Sequence, residues 1–468
     1  MYFFRVYVWL LLLASVLLLD ASATRDVSRR SDEGYMVATP IEDGKEFVPR
    51  SALTASTEEK QNFQPIRIHF DTSMLHNRTA TCRQLSQMVS DGLGTSVICR
   101  EEDLLTAEKR DYMELQILPR VKEMVEQLLL VRPLTSALRI PTGICGSYIH
   151  IPPEHASMGV KKVDFIVYVV SVPMAVVSSN TIAWGGSCGT IQHSRPAVAR
   201  ANLVPKHVRL PNASAGLLDG DVERYSRAIL HEVFHCLGFS PRYLEKMTDA
   251  SGGFSAPDIL STARAYFNCS AMSRIPLENE GGEGSAGAHW ERSILKEEIM
   301  SGVIPEGVYP KITNFTLSVF QLMPFYAVNF SFSERMEWGY QAGSAFLKSK
   351  CGSSASMTEE VQQAVTQSRP LHRDMVSQLK HWCTGDLYKS LLLTNSSSPY
   401  TRSSPFQCNV GRTGMGRCSK GGSLLIKDCN TVDITDVMCR QSGLNEHVND
   451  FSAQTHSIVY QGPQSSCL

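Results

Sequence analysis

Two histidines and a glutamate stand at a spacing that suits metal-assisted hydrolysis. His231, Glu232 and His235 form the motif H-E-x-x-H within the segment HEVFHCLGFS. On a helix, residues four apart share a face, so both imidazoles can reach a single metal ion. Zinc held by neutral imidazoles lowers the pKa of its bound water to about 7, and the neighbouring carboxylate can then accept the proton. The motif therefore predicts one catalytic Zn²⁺ per chain.

A third ligand has to come from further along the chain. Gly238 stands where H-E-x-x-H-x-x-G proteases turn toward a third histidine, but Ser240 and Pro241 occupy the region in which that histidine usually follows. The next histidine is His289, and Met300 comes after it, which is the order of a ligand and a methionine-bearing turn. Spacing alone leaves two interpretations of His289 open, namely the third metal ligand and a plain surface histidine.

The motif needs a helix to hold it, and the sequence predicts one over residues 222–237. Gly238 is suited to end this helix, because glycine readily adopts the left-handed backbone conformation. Alternating or β-branched runs predict strands over residues 66–70, 164–173, 181–187 and 197–204. A further helix is predicted over residues 102–131, interrupted at Pro119. The first half of the chain is therefore predicted to mix helices and strands.

The amino terminus has the pattern of an exported protein. Residues 1–23 carry Arg5, a fourteen-residue apolar run and then Ala-Ser-Ala, which is typical of a cleaved signal peptide. The run is shorter than the roughly 20 residues that span a bilayer, which disfavours a membrane anchor. Residues 24–62 are polar and charged, so we expect a pro-segment or flexible leader. A net charge of -1 gives no support to nucleic-acid binding.

Cysteines and sequons also suit an exported chain. There are 13 cysteines, an odd number, and seven of them lie from Cys351 onward, which predicts a disulfide-rich carboxyl-terminal module. The Gly-rich stretch 281–287 is interpreted as a flexible loop. A sixth sequon, at Asn268, has a cysteine in its middle position and is set aside. The other five sequons are candidate glycosylation sites and stand at Asn77, Asn212, Asn314, Asn329 and Asn395.

These residues resemble leishmanolysin, the surface metalloprotease family of trypanosomatid parasites, which is a member of the metzincins. The similarity includes the later segments GSAGAHW, EEIMSG and FYAVNFSFSERMEWGYQAG, and the earlier segments CREEDLLTAEKRD and DFIVYVVSVP. It covers about residues 62–352. This family carries its third zinc histidine beyond an insertion of this kind. The resemblance thus implies that His289 is a zinc ligand and that Met300 is the hydrophobic Met-turn residue beneath the metal.

The resemblance also implies the architecture, which is an α+β fold. A metzincin-like catalytic domain with a twisted mixed sheet and the active-site helix would cover residues 63–238. A central domain with the third histidine and the Met-turn would cover residues 239–343, and a disulfide-rich, shortened carboxyl-terminal domain would cover residues 344–468. The strand near Thr181 would be the edge that pairs with an extended substrate through main-chain hydrogen bonds.

The family pattern of cysteines is kept in part. The resemblance implies the disulfides Cys82–Cys99 and Cys145–Cys188. The family's partner for Cys269 would fall at Ser344, which leaves Cys269 unpaired. Family members keep a zinc-capping cysteine in the pro-segment of the zymogen, whereas residues 24–81 contain none, so activation by release of a thiol is in doubt. Cys236 remains open between a buried small hydrophobe and a reactive thiol.

The function expected from these features is zinc-dependent endopeptidase activity on protein and peptide substrates, either extracellular or from a host. The main alternative is a catalytically impaired cell-adhesion glycoprotein on the same scaffold, with host-surface or matrix proteins as partners. A hydrolase for a non-peptide amide would use the same chemistry. We expect a secreted or cell-surface protein. The polar ending QGPQSSCL shows no lipid-anchor signal, so membrane association rests on the resemblance alone.

Overall fold

The computed structural model describes residues 35–40, 49, 62–175, 181–211, 222–279, 285–292, 294–304, 309–336, 338–341 and 343, with five short strands between residues 406 and 434. The signal-peptide candidate over residues 1–23 lies outside the described residues. So do Asn212, Asn395 and the cysteine-rich region 344–468, apart from the backbone of those five strands. Of the Gly-rich stretch, residues 285–287 are described.

The strands, in chain order, are β1 (Tyr35–Val37), β2 (Thr39–Pro40), β3 (Gln64–Pro65), β4 (Ile68–Asp71), β5 (Met88–Ser90), β6 (Ser96–Ile98), β7 (Leu129–Val131), β8 (Ala137–Arg139), β9 (Phe165–Val170), β10 (Ala183–Ile191), β11 (Arg195–Leu203), β12 (Gly253–Phe254), β13 (Ile275–Pro276), β14 (Ala327–Val328), β15 (Phe406–Cys408), β16 (Met415–Ser419), β17 (Gly422–Ser423), β18 (Ile426–Lys427) and β19 (Thr431–Ile434). The α-helices are α1 (Ser73–His76), α2 (Ala107–Tyr112), α3 (Leu118–Leu128), α4 (Pro153–Ser157), α5 (Val222–Leu237), α6 (Pro241–Leu244), α7 (Pro257–Phe267) and α8 (Asn314–Leu322).

A five-stranded mixed sheet, ordered β2-β10-β11-β9-β4, is the platform of the fold. β9 is parallel to both of its neighbours, whereas β10 runs antiparallel to β11. All six residues of β9 are buried, because alternate side chains enter the hydrophobic clusters on the two faces of the sheet. The helix α5 packs against β10 and β11 on one of these faces. This mixed sheet and helix agree with the predicted mixture of strands and helices.

The predicted interruption of the helix at Pro119 is wrong. α2 passes into a π-helical turn over Met113–Ile117 and then into α3, with helical backbone angles at both junctions. Pro119 is the second residue of α3 and comes directly after the π-helical turn, where the hydrogen-bond register changes and a residue without an N–H is accommodated. The helix therefore continues through the proline. It ends at Leu128, and Leu129–Val131 forms β7 instead of a last helical turn.

Part of the predicted leader is built into the fold. β1 pairs in parallel with β8, and the buried Ala38 donates its N–H to the carbonyl oxygen of Arg139 at 2.9 Å. β2 then pairs antiparallel with β10, with Pro40 opposite Gly189 and Thr39 opposite Thr190. Thr39 and Pro40 thus join the outer edge of the main sheet, whereas β1 and β8 form a separate two-stranded sheet.

The segment after Gly238 shares its core with the segment before it. Phe234 of α5 lies 5.1 Å from Phe320 of α8, and Phe239 lies 5.4 Å from Trp290, measured between ring centroids. Both pairs belong to one continuous hydrophobic cluster. Among the described residues, no helix combines the length and the apolar character required to cross a membrane.

Four of the described cysteines form two disulfides, Cys82–Cys99 and Cys145–Cys188. Cys236 and Cys269 are free and buried. Of the described sequon asparagines, Asn314 is exposed at the start of α8. Asn77 and Asn329 are partly buried, and each side-chain oxygen accepts a hydrogen bond from the residue two positions later.

Candidate metal centre

Three imidazoles converge on one point beside α5. The Nε2 atoms of His231 and His235 are 3.0 Å apart, and the Nε2 atom of His289 lies 3.2 Å and 3.1 Å from them. Within the part of the chain that the structure describes, these residues form the group whose ligand atoms could hold a metal ion together. The structure therefore brings His289, which stands 54 residues beyond His235, to the two helix histidines.

Each imidazole is oriented by a backbone carbonyl on its other side. Nδ1 of His231 lies 2.6 Å from the oxygen of Ile299, and Nδ1 of His235 lies 2.6 Å from the oxygen of Phe239. Nδ1 of His289 lies 3.0 Å from the oxygen of Ser285. Because a carbonyl only accepts, these partners assign the proton to Nδ1 and leave a lone pair on every Nε2. Three converging nitrogen lone pairs fit a zinc ion that keeps one open position.

Burial keeps the three imidazoles neutral. It lowers the pKa of His231 well below its ordinary value, and the neighbouring His235 and His289 lower it further. Burial likewise lowers the pKa of His235 to about 3 and lowers the pKa of His289. A neutral imidazole is the form that binds a metal, so the donors are ready at neutral pH.

The end of α5 explains how His235 acquires its carbonyl partner. Gly238 has a φ of +127°, a backbone conformation that glycine adopts at low cost. A Cβ at Gly238 would also lie 2.9 Å from Sδ of Met323. The chain turns back here, the N–H of Phe239 donates to the oxygen of Phe234, and the oxygen of Phe239 reaches His235.

His289 is held in a packed loop and is 7% exposed, so it is not a plain surface residue. Its neighbour Trp290 is fully buried, and its ring lies against those of Phe239 and Phe254. The backbone N–H of Trp290 donates to the carbonyl oxygen of Met300 at 3.0 Å. Met300 itself is 0% exposed and belongs to the same hydrophobic cluster, as expected of an apolar support.

Glu232 occupies the position between the two helix histidines in sequence and is partly buried. Burial of its carboxyl group raises its pKa to about 8, and a hydrogen bond with the backbone of Gly185 opposes this rise. A bound divalent cation would lower the pKa again, because a nearby positive charge favours the carboxylate. Glu232 therefore has the environment of a group that can exchange a proton near neutral pH.

Sequence reasoning missed two residues that border this site. Gly185 of β10 approaches Glu232, and Glu298 bonds to the Met-turn. A glycine pair inside a predicted strand is a known sign of close backbone approach and could have indicated Gly185. Nothing in the sequence alone distinguishes Glu298 from the adjacent Glu297.

Cys236 is a buried small hydrophobe. It is 0% exposed, its sulfur lies 3.7 Å from the oxygen of Arg200, and burial raises the pKa of its thiol well above the ordinary value. A thiol that keeps its proton is a poor nucleophile and a poor metal ligand. The reactive-thiol interpretation of Cys236 is therefore disfavoured.

A mixed sheet, an H-E-x-x-H helix and a distant third histidine together are the arrangement of a metallopeptidase. The chain belongs to the leishmanolysin family, whose family profile matches residues 35–362. The resemblance inferred from the motifs is thereby confirmed.

Individual relatives give the same result. The chain is 30% identical over 318 residues to leishmanolysin of Leishmania major, covering 65% of this chain and 50% of the relative. It is 31% identical over 306 residues to leishmanolysin of Leishmania donovani, which covers 62% of this chain and 49% of that relative. A leishmanolysin-like peptidase of Drosophila melanogaster is 25% identical over 244 residues, which cover 41% of this chain and 34% of that relative. The chain spans about half the length of the Leishmania relatives that it matches.

Proposed function

We propose that this chain is a zinc-dependent endopeptidase in which His231, His235 and His289 hold one Zn²⁺ and Glu232 is the general base. The observation that carries the proposal is the convergence of three Nε2 atoms within 3.2 Å, each on an imidazole whose Nδ1 faces a backbone carbonyl. The arrangement offers nitrogen ligands and an adjacent carboxylate, which is what metal-assisted hydrolysis requires.

The residues of the chain divide the work of peptide hydrolysis. When bound, zinc would polarise the scissile carbonyl and acidify a water molecule. Glu232 accepts the proton of the attacking water and later delivers it to the leaving amine. The hydrogen bond from the Gly185 backbone holds the Glu232 carboxylate in place during both transfers.

The outer strand of the sheet supports a protein or extended-peptide substrate. β10 passes beside Glu232 at Gly185 and runs antiparallel to its inner neighbour β11. An extended peptide can add to such an edge through main-chain hydrogen bonds, which gives affinity without a requirement for particular side chains.

The location and modification of the chain are part of the same proposal. The chain is secreted or held at the cell surface, where it acts on extracellular or host proteins, and exposed Asn314 is available to carry a glycan. The adhesion alternative has less support, because a purely adhesive copy has no need of Glu232 beside a complete set of three imidazoles.

The test is metal analysis and proteolysis by the purified full-length chain. We expect one zinc per chain, and cleavage of casein at internal peptide bonds that stops with ortho-phenanthroline and returns with added zinc. The non-chelating meta isomer of phenanthroline is the matched control and should not inhibit. Zinc-loaded protein that cleaves neither casein nor a mixed peptide library would overturn the proposal and favour the adhesion alternative.

A further inference from the structure

The buried carboxylate of Glu298 lies at the centre of a hydrogen-bond network behind the three histidines. Glu298 is 1% exposed, and its Oε2 accepts the N–H of Met300 at 2.6 Å. Its Oε1 accepts the hydroxyl of Thr313 at 3.0 Å and the N–H of Thr313 at 3.4 Å. The hydroxyl of Thr316 also donates to this carboxylate. Both carboxylate oxygens therefore have donors, as a buried charge requires.

One branch of the network leads to His231. Ile299 lies between Glu298 and Met300, and its carbonyl oxygen is the 2.6 Å partner of Nδ1 of His231. The N–H of Ile299 donates to the oxygen of Lys311. The N–H of Met300 and the carbonyl of Ile299 belong to the same peptide unit. The hydrogen bond from this N–H to Glu298 therefore also fixes the direction of the carbonyl that orients His231.

A second branch leads to His289. Trp290 follows this histidine, and its backbone N–H donates to the oxygen of Met300 at 3.0 Å. Its indole N–H donates to the hydroxyl of Thr316 at 2.9 Å, and that hydroxyl in turn donates to Glu298. Trp290 is thus tied to Glu298 twice, once through Met300 and once through Thr316. Hydrogen bonds arranged in such chains strengthen one another.

We infer that Glu298 is a positioning residue for the metal centre, because one carboxylate fixes both the carbonyl that orients His231 and, through Trp290, the backbone next to His289. It touches neither substrate nor metal. The inference rests on the proposed function, because the quantity that it explains is the affinity of the three imidazoles for zinc. Residues that orient metal-binding histidines typically change metal affinity by about 10- to 100-fold when they are replaced.

The adjacent Glu297 is a matched control. It is also buried, at 7% exposed, and its Oε2 accepts the N–H of Trp338 at 3.2 Å. Replacing either glutamate removes a buried carboxylate from the same loop. The inference assigns an effect on the metal only to Glu298, whereas general loosening of the loop would follow from both replacements.

The test compares the zinc dissociation constant and the visible spectrum of the cobalt-substituted full-length protein in the parent, Glu298→Ala, Glu298→Gln and Glu297→Ala. Glu298→Ala should weaken zinc binding by at least about tenfold and alter the cobalt spectrum, which reports ligand geometry. Glu298→Gln should stay within about threefold of the parent, because the amide oxygen can still accept from Met300. Glu297→Ala should keep the parental metal affinity and spectrum, whatever its melting temperature.

A second pair of variants, at Thr316, tests the inference even if the Glu298→Ala protein does not fold. Thr316→Val removes the hydroxyl between Trp290 and Glu298 and should weaken zinc binding severalfold, whereas Thr316→Ser keeps the hydroxyl and should match the parent. Parental zinc affinity in Thr316→Val, or in a folded Glu298→Ala, overturns the inference, as does equal weakening in Glu297→Ala. A parent that binds no zinc overturns the proposed function as well, so the two failures are distinguishable.

Discussion

The backbone of Gly185 lies so close to Glu232 that a Cβ added at Gly185 would stand 2.9 Å from the Cβ of Glu232. The same added atom would lie 3.0 Å from the carbonyl oxygen of Glu232 and 3.1 Å from the sulfur of Cys236. The outer strand β10 therefore passes directly against the helix α5. Only glycine permits this approach, and the approach gives the carboxylate its backbone hydrogen bond.

The Gly185→Ala variant should be a poor peptidase. The extra methyl group must push β10 away from α5, which displaces the hydrogen bond that holds Glu232. We expect kcat/KM on a peptide substrate to fall by about 100-fold, the effect typical of a misplaced catalytic group. The control is Gly186→Ala, since a Cβ at Gly186 would meet nothing within 4 Å. Equal rates in the two variants would show that the close approach has no role in catalysis.

The Glu232→Ala variant should bind zinc as the parent does but should hydrolyse casein more slowly by about 100- to 10,000-fold. The three imidazoles persist in this variant, whereas the group that accepts the water proton is lost. Metal content and initial rates on the same preparation check both halves of the prediction. Parental activity in Glu232→Ala protein would refute the assignment of the base.

The His289→Ala variant should lose metal and activity together. Two helix imidazoles remain, and such an incomplete ligand set binds zinc far more weakly. Zinc per chain after dialysis and the rate of casein cleavage are the measurements. His69→Ala, at an exposed histidine of β4, should retain both. A His289→Ala protein that keeps a tightly held zinc would remove this residue from the site.

The stability of the metal-free protein should depend on the charge of Glu298. Burial raises the pKa of Glu298 from 4.5 to about 7, so the folded protein holds this proton more tightly than the unfolded chain does. The associated stability is complete below pH 4.5 and is lost as the pH rises through about 7. Relative to the parent, Glu298→Gln should therefore gain roughly 3 kcal/mol of unfolding free energy between about pH 4 and pH 8.

Chemical denaturation of both proteins with a chelator present measures that difference. Other buried groups such as Glu232 titrate in parent and variant alike, so their effects cancel. A difference in unfolding free energy that stays constant across this pH range would mean that Glu298 keeps an ordinary pKa.

Cys236 should not react with iodoacetamide in the native protein. Its thiol is fully buried, and burial raises its pKa, so little thiolate is available. Peptide mass spectrometry after a brief native reaction should find Cys236 unmodified, and the same reaction in denaturant should modify it. Rapid native labelling of this residue would restore the reactive-thiol interpretation.

Local pattern predicted the parts of the site that lie close together in the chain. The helix over residues 222–237 matches α5 at both ends, because its apolar periodicity, the motif and Gly238 all favour the same element. The strand predicted over residues 181–187 is longer in the structure, where β10 extends to Ile191. Its last residues are strand because β11 and β2 pair with them, and pairing between distant segments leaves no local pattern.

Contacts between residues that are far apart in the chain could not be predicted from local sequence patterns. His289 lies 54 residues from His235, and only the family resemblance indicated that the two meet. Glu298 and Glu297 are adjacent and identical in type, so their different partners emerge only when the loop is packed. The π-helical turn over Met113–Ile117 likewise depends on hydrogen bonding that helical periodicity does not encode.

β2 occupies part of the outer edge of β10, where the proposed mode of binding would place a substrate peptide. β2 covers β10 at Gly189 and Thr190, and no other described strand lies along the outer side of residues 183–188. A guest chain running antiparallel to β10 would meet the end of β2 at Pro40, beyond which the two would compete for the same row of amide and carbonyl groups. Removing residues 35–40 would therefore lengthen the footprint of a bound substrate in the direction of Ile191.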